Sequence, residues 1–256
     1  MTKEEIDASE APLMDHLMEL RSRLMWSVGG FVVALIGCFF VSTEILQILI
    51  KPFMWGTGKD VTLISINLLG VFFVKLKIAM FGGFVIAFPL IATQVYRFVA
   101  PGLYKHERQA LAPYLLATPI FFTMGASLVY FMLLPFAIKF FFAVGADAGV
   151  TVMPDIERYL DFVMTLILAF GLAFQLPVIL TLLGQIGVVS YEQLVKGRRF
   201  AIVSVAALAA VITPPDPFSM LAMCVPLAGL YEVSVWTVWF IENRRKKAEA
   251  AKDAKP

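Results

Sequence analysis

The sequence predicts an all-α, polytopic membrane protein with six transmembrane helices and both termini on the cytoplasmic side. Three observations carry that prediction. Of the 256 residues, 60% are hydrophobic and only 16% are charged, whereas about a quarter of an ordinary soluble domain is charged; mean hydropathy is +0.83. The charges are clumped, leaving six predominantly apolar segments at 24–43, 76–96, 111–137, 160–184, 200–213 and 217–234. An apolar helix crosses roughly 30 Å of hydrocarbon with about 20 residues, and the first four segments reach that length. Finally, with the N-terminus inside, the inner segments carry 15 Lys and Arg and the outer segments 6; without the six of the C-terminal tail the bias is still 9 to 6. Lys75 and Lys77 stand where they can snorkel outward.

Residues 13–24 read as a helix that begins before the membrane. Leu13, Leu17, Leu20 and Leu24 share one face, and Asp15, Glu19 and Arg23 repeat every four residues on another. No cleavable leader is recognised ahead of the first span, so that span is expected to be retained. The first outer loop, about 44–70, is long, partly apolar and interrupted by Pro52, Gly56 and Gly58. Such a segment should fold down as a cap on the outer face, with Pro52 as a turn-former.

After the second span, "YRFVAPGLYKHERQ" mixes aromatics, Pro101 and Gly102 with charges of both signs, the composition of an ordered turn packed against the bundle. The second outer loop, about 139–157, ends in the turn-like "MPDIE". Ser190 and Gln193 form a capping box, so a helix should start in the cytosol and run into span five. Spans five and six are short. From Phe200 to Thr213 there are 14 residues, about 21 Å at 1.5 Å per residue, before Pro214 and Pro215 stop the helix. Asp216 followed by Pro217 reads as an N-cap with proline at the first helical position of span six. Residues 1–241 are thus expected to form one transmembrane domain, and 242–256 a charged cytoplasmic tail that holds to anionic lipid.

Enzyme chemistry finds no support. His16 and His106 stand in different segments, with no metal-ligand spacing around them. No phosphate loop, no Ser-x-x-Lys dyad and no paired intramembrane carboxylates occur, and no cofactor is implied. Cys38 and Cys224 sit inside apolar runs as small packing residues. A small-solute transporter with a broken-helix site near Gln175 is the alternative, since Pro177 frees a backbone carbonyl beside the main polar side chain at mid-depth. Against it, Gln175 offers no charge pair.

The remaining ionisable groups lie at span ends, most richly on the inner side. There Glu19 and Glu107 stand among cations and offer carboxylates to something cationic, and a guanidinium is the natural partner because it pairs through two parallel charge-assisted bonds. Glu19 also has a local partner one turn on, Arg23, in a pairing worth about 0.2–0.5 kcal/mol.

Four motifs in order, "HLMELR" at 16–21, "FVAPGLYKHE" at 98–107, "FGLAFQLP" at 170–177 and "TPPD" at 213–216, give a chain that closely resembles the TatC family, the polytopic receptor component of the twin-arginine protein translocase. The resemblance implies a cupped shape and a multi-pass protein of the bacterial cytoplasmic (inner) membrane. It also implies binding of twin-arginine signal peptides through Glu19 and Glu107, with Arg21, Phe98 and Tyr104 shaping the patch. Single-span TatB and TatA subunits would associate through spans five and six, with Gln175, Thr213, Asp216 and Pro52 as partner-helix contacts or structural residues. Folded proteins would cross on the proton-motive force. The family commonly has Glu where this chain has Gln175, so a polar contact is expected there rather than an ionising one.

Overall fold

In the computed structural model, residues 3–57, 63–66, 69–99, 111–147, 149, 153–212 and 217–253 are described. The helices are α1 (Lys3–Phe40), α2 (Ser42–Thr57), α3 (Gly70–Val99), α4 (Leu111–Leu128), α5 (Leu134–Asp147), α6 (Ile156–Ala173), α7 (Leu176–Gln185), α8 (Tyr191–Ile212) and α9 (Pro217–Asp253). A π-helical turn, Val129–Leu133, joins α4 to α5. Among the described residues the only β pairing is an isolated parallel bridge between Ile64 and Asp155. The fold is all-α.

Among the described residues, five stretches are long and apolar enough to cross a membrane: Leu17–Phe40, Gly70–Phe98, Tyr114–Asp147, Ile156–Gln185 and Met223–Arg245. The segment expected as span five falls in α8, which is not among them. Glu192, Lys196, Arg198 and Arg199 occupy its first turns, and only Phe200–Ile212 is free of charge. Each stretch is longer than the sequence segment it overlaps, because helices continue past the hydrocarbon limit wherever nothing breaks them.

The chain forms two compact units. One comprises Met1–Leu46 with Lys75–Leu115, the other Gln47–Val74 with Leu116–Pro256. In the first, α1 and α3 run antiparallel at close range. A Cβ on Gly83 would stand 2.8 Å from Leu35 Cα, and one on Gly82 would stand 3.0 Å from Cys38 Sγ. Small residues let backbones approach in this way without a side chain between them. Cys38 is buried there as a free thiol.

In the second unit α6 is the centre, with Leu160, Val163, Leu166 and Phe170 fully buried. Asp155 caps α6, accepting from the Glu157 N–H at 3.4 Å. The same turn pairs with the cap segment: Ile64 N–H donates to Pro154 O at 3.2 Å, and Ile156 N–H donates to Ile64 O at 2.9 Å. The "MPDIE" turn therefore both starts a helix and fastens the loop that precedes span two.

The cap itself departs from expectation. Pro52 is not in a turn; it lies buried inside α2. Proline has no N–H and crowds the carbonyl four residues back, which here belongs to Ile48. Tyr130 Oη donates to that carbonyl at 2.7 Å, and Tyr159 Oη to the next, Leu49 O, at 2.8 Å. A helix tolerates the proline because two tyrosines from the bundle take the exposed carbonyls. Trp55 stacks on Phe131, with centroids 5.8 Å apart at 16°. Gly56, expected as a breaker, is a point of close approach instead: a Cβ there would stand 2.9 Å from Pro135 O.

Pro135 also accounts for the π turn. It can neither donate to the Phe131 carbonyl nor sit comfortably against it. The helix widens, and the Leu134 N–H reaches Val129 O five residues back.

Beyond α7, the capping box is present. Gln193 N–H donates to Ser190 Oγ at 3.3 Å, and Ser190 N–H donates to Gln193 Oε1 at 2.9 Å. α9 begins at Pro217, as the sequence requires; Asp216 and its cap lie outside the described residues. α9 runs past the 217–234 segment and continues as one helix through the first part of the charged tail. It packs on α7 and α8.

Candidate functional site

Glu19 lies on α1, where i and i+4 side chains are neighbours. Its Oε1 accepts from Arg23 Nε at 3.0 Å and also from Arg23 Nη2. Both side chains keep access to the surroundings, Glu19 at 33% exposure and Arg23 at 21%. The local pairing anticipated from the sequence is therefore the one the free chain adopts. Arg21 is exposed on a neighbouring face of α1. With Met18, Ser22, Met25, Trp26 and Gly29 it lines an open groove of about 600 Å³. The groove is flexible and apolar along its floor, through two methionines and a tryptophan, and charged at one edge.

Phe98 is half-buried in the last turn of α3. Tyr104, Glu107, Thr213 and Asp216 fall outside the described residues.

Gln175 is the second place where polarity is concentrated. It sits at the break between α6 and α7, in a turn that Pro177 makes necessary by lacking an N–H for the Ala173 carbonyl. The side chain is 93% buried, being 7% exposed. Its Nε2 donates to Thr118 O at 3.0 Å and to Gly171 O at 3.4 Å. Its Oε1 is buried with no donor among the described residues. Around it α4 and α6 interlock antiparallel: Gly125 faces Phe170 and Phe174, and Gly171 faces Phe122. An amide with both donors used and its acceptor unused can still receive one hydrogen bond from a group brought to it.

The polar contacts that sequence reasoning missed are the two tyrosine-to-carbonyl bonds at the cap and an ion pair between α8 and α9. Arg198 Nη2 donates to Glu232 Oε2 at 2.8 Å. A signal for this pair existed. The two helices are joined by only four residues, and Arg198 stands 17 residues before Pro215 while Glu232 stands 17 after it. Tyr231 Oη to Leu194 O at 2.7 Å and Tyr191 N–H to Glu242 Oε1 at 2.7 Å lie in the same antiparallel register.

Among known proteins, the family model described as Sec-independent protein translocase protein (TatC) matches residues 15–226. The protein of that description from Magnetococcus marinus is 41% identical over 245 residues, covering 96% of this chain and 90% of its own length. The one from Aquifex aeolicus is 35% identical over 241 residues, covering 94% and 100%. The one from Escherichia coli is 33% identical over 238 residues, covering 93% and 92%. A crystal structure described as the twin-arginine translocase receptor TatC matches with a TM-score of 0.80 at 35% identity, over 89% of this chain and 99% of that one.

Proposed function

We propose, from the premise that this chain belongs to the TatC family, that it binds twin-arginine signal peptides and nucleates the translocase that exports folded proteins. The chain is a multi-pass membrane component of Sec-independent protein translocation and not an enzyme. In this reading it has six spans, the short fifth being α8, with both termini in the cytoplasm of a bacterial cell and the spans in the inner membrane. Export draws on the proton-motive force.

The observation that carries the signal-peptide site is the half-exposed Glu19, already set to receive a guanidinium. Its present partner is weakly held, since an exposed i,i+4 pair contributes about 0.3–0.5 kcal/mol. Arg23 engages only the Oε1 of Glu19, whereas a peptide guanidinium that displaces it can take both carboxylate oxygens through parallel charge-assisted bonds. Glu107 supplies the second carboxylate, with Arg21, Phe98 and Tyr104 shaping the patch. The groove beside Arg21 suits apolar side chains that follow the arginine pair. Single-span TatB and TatA helices dock along spans five and six, and the unused Gln175 Oε1 accepts from one of them. Thr213, Asp216 and Pro52 hold the outer hairpin and cap in place. Family membership sets aside the solute-carrier alternative, which had rested on the helix break at Gln175.

The test is site-specific crosslinking to a twin-arginine precursor. Glu19→Ala with Glu107→Ala should reduce it about tenfold or more, with membrane insertion intact, and Arg23→Gln should leave it unchanged or stronger because it frees Glu19. Undiminished crosslinking in the double variant removes the site.

A further inference from the structure

Arg198 and Glu232 have no part in the signal-peptide site, yet they form an ion pair between α8 and α9. A guanidinium carries five N–H donors, and Glu232 accepts from one nitrogen, Nη2, at 2.8 Å. Arg198 Nε is buried with no acceptor among the described residues, while the side chain as a whole is 42% exposed. The group is thus held at one corner and open at its edge. On one side lies a cavity of about 380 Å³ lined by Tyr191, Val235, Trp236 and Trp239 as well as Arg198. On the other lies one of about 250 Å³, where Ala228 and Gly229 leave the wall low.

The surroundings say what fits. Trp236 and Trp239 are exposed at 71% and 46%, and indole rings of this kind settle at the headgroup level of a bilayer. Residues 191–199 and 231–247 together carry seven Lys and Arg against three Glu. Two of those cations lie over rings, Arg199 on Phe200 at 4.9 Å and Arg244 on Phe240 at 4.5 Å. This is a cationic aromatic collar with one incompletely satisfied guanidinium at its centre. We propose that Arg198 binds the phosphodiester of an anionic phospholipid, with Trp236 and Trp239 against its glycerol region. Glu232 orients the guanidinium from behind. The apolar walls favour an acylated glycerol phosphate over a hydrated free anion, because only the former gains by leaving water on that side.

The proposal is tested on the full chain in a non-ionic detergent, with bound lipid counted by native mass spectrometry as phosphatidylglycerol is titrated in. One phosphatidylglycerol per chain should resist detergent release, and Arg198→Gln should weaken it about tenfold. Arg199→Gln should retain it. Should Arg198→Gln fail to fold by gel filtration and circular dichroism, Arg198→Lys, which keeps the charge and loses the fork, takes its place and should bind more weakly than wild type. Equal retention of phosphatidylcholine, displacement by inorganic phosphate, equal weakening by Arg199→Gln, or undiminished binding in the Arg198 variant would each overturn the assignment. So would loss of a co-purified protein on Arg198 substitution with lipid retention unchanged, which assigns the cavity to a partner helix.

Discussion

Replacing Gly125 by alanine is expected to lower the thermal unfolding midpoint in detergent, at a fixed scan rate, by about 5–10 °C. The added Cβ would stand 2.7 Å from the Phe170 carbonyl oxygen and 2.8 Å from the Phe174 ring. The carbonyl belongs to the backbone of α6, the most deeply buried helix of its unit, and cannot retreat without moving the helix. Gly171→Ala creates a nominally worse contact, 2.5 Å from Phe122 Cε2, but that atom lies at the far edge of a ring that can turn. The expected order is therefore the reverse of the distances, with Gly125→Ala the more damaging. A larger loss from Gly171→Ala would show the Phe122 ring to be fixed and the backbone argument mistaken. The same contact sets Thr118 opposite Gln175, so Gly125→Ala should also impair any partner contact made there.

The second large effect is expected at the cap, where Tyr130→Phe should cost about 1–3 kcal/mol. It removes the donor to Ile48 O and leaves that carbonyl without its side-chain partner. The cause of that free carbonyl is Pro52. In a Pro52→Ala background residue 52 has an N–H for Ile48 O again, and Tyr130→Phe should then cost about 1 kcal/mol less. Unfolding measured across the four proteins of this cycle gives the coupling directly. A cost for Tyr130→Phe that is the same in both backgrounds would mean that Pro52 is not what makes Ile48 O depend on the tyrosine hydroxyl.

How much of this was legible beforehand depends on the range of the interaction concerned. The start of α8 was readable because Ser190 and Gln193 satisfy each other across three residues. The start of α9 was readable because Pro217 suits a first helical turn. α2 was not. Pro52, Gly56 and Gly58 are breakers by local preference, and what overrules them is Tyr130, Tyr159 and the surface of α5, all distant in sequence. The break at Gln175 was anticipated from Pro177, but its hydrogen bond to Thr118 spans 57 residues and could not be read locally. For Glu19 both possible partners were visible, and the free chain adopts the nearer one.

By itself, then, the amino-acid order determined that this is an all-α membrane protein, where its apolar helices fall, and which family it resembles. Those properties follow from hydropathy along the chain, from the obligation of backbone groups to bond within a helix in lipid, and from motifs of a few residues. Only the folded chain decided that the cap is a proline-bearing helix, that Gln175 keeps one acceptor unused among the described residues, and that Arg198 meets Glu232. Each of these depends on which carbonyl, ring or carboxylate from a remote segment arrives within about 3 Å, and hydrogen bonding at that range is set by packing.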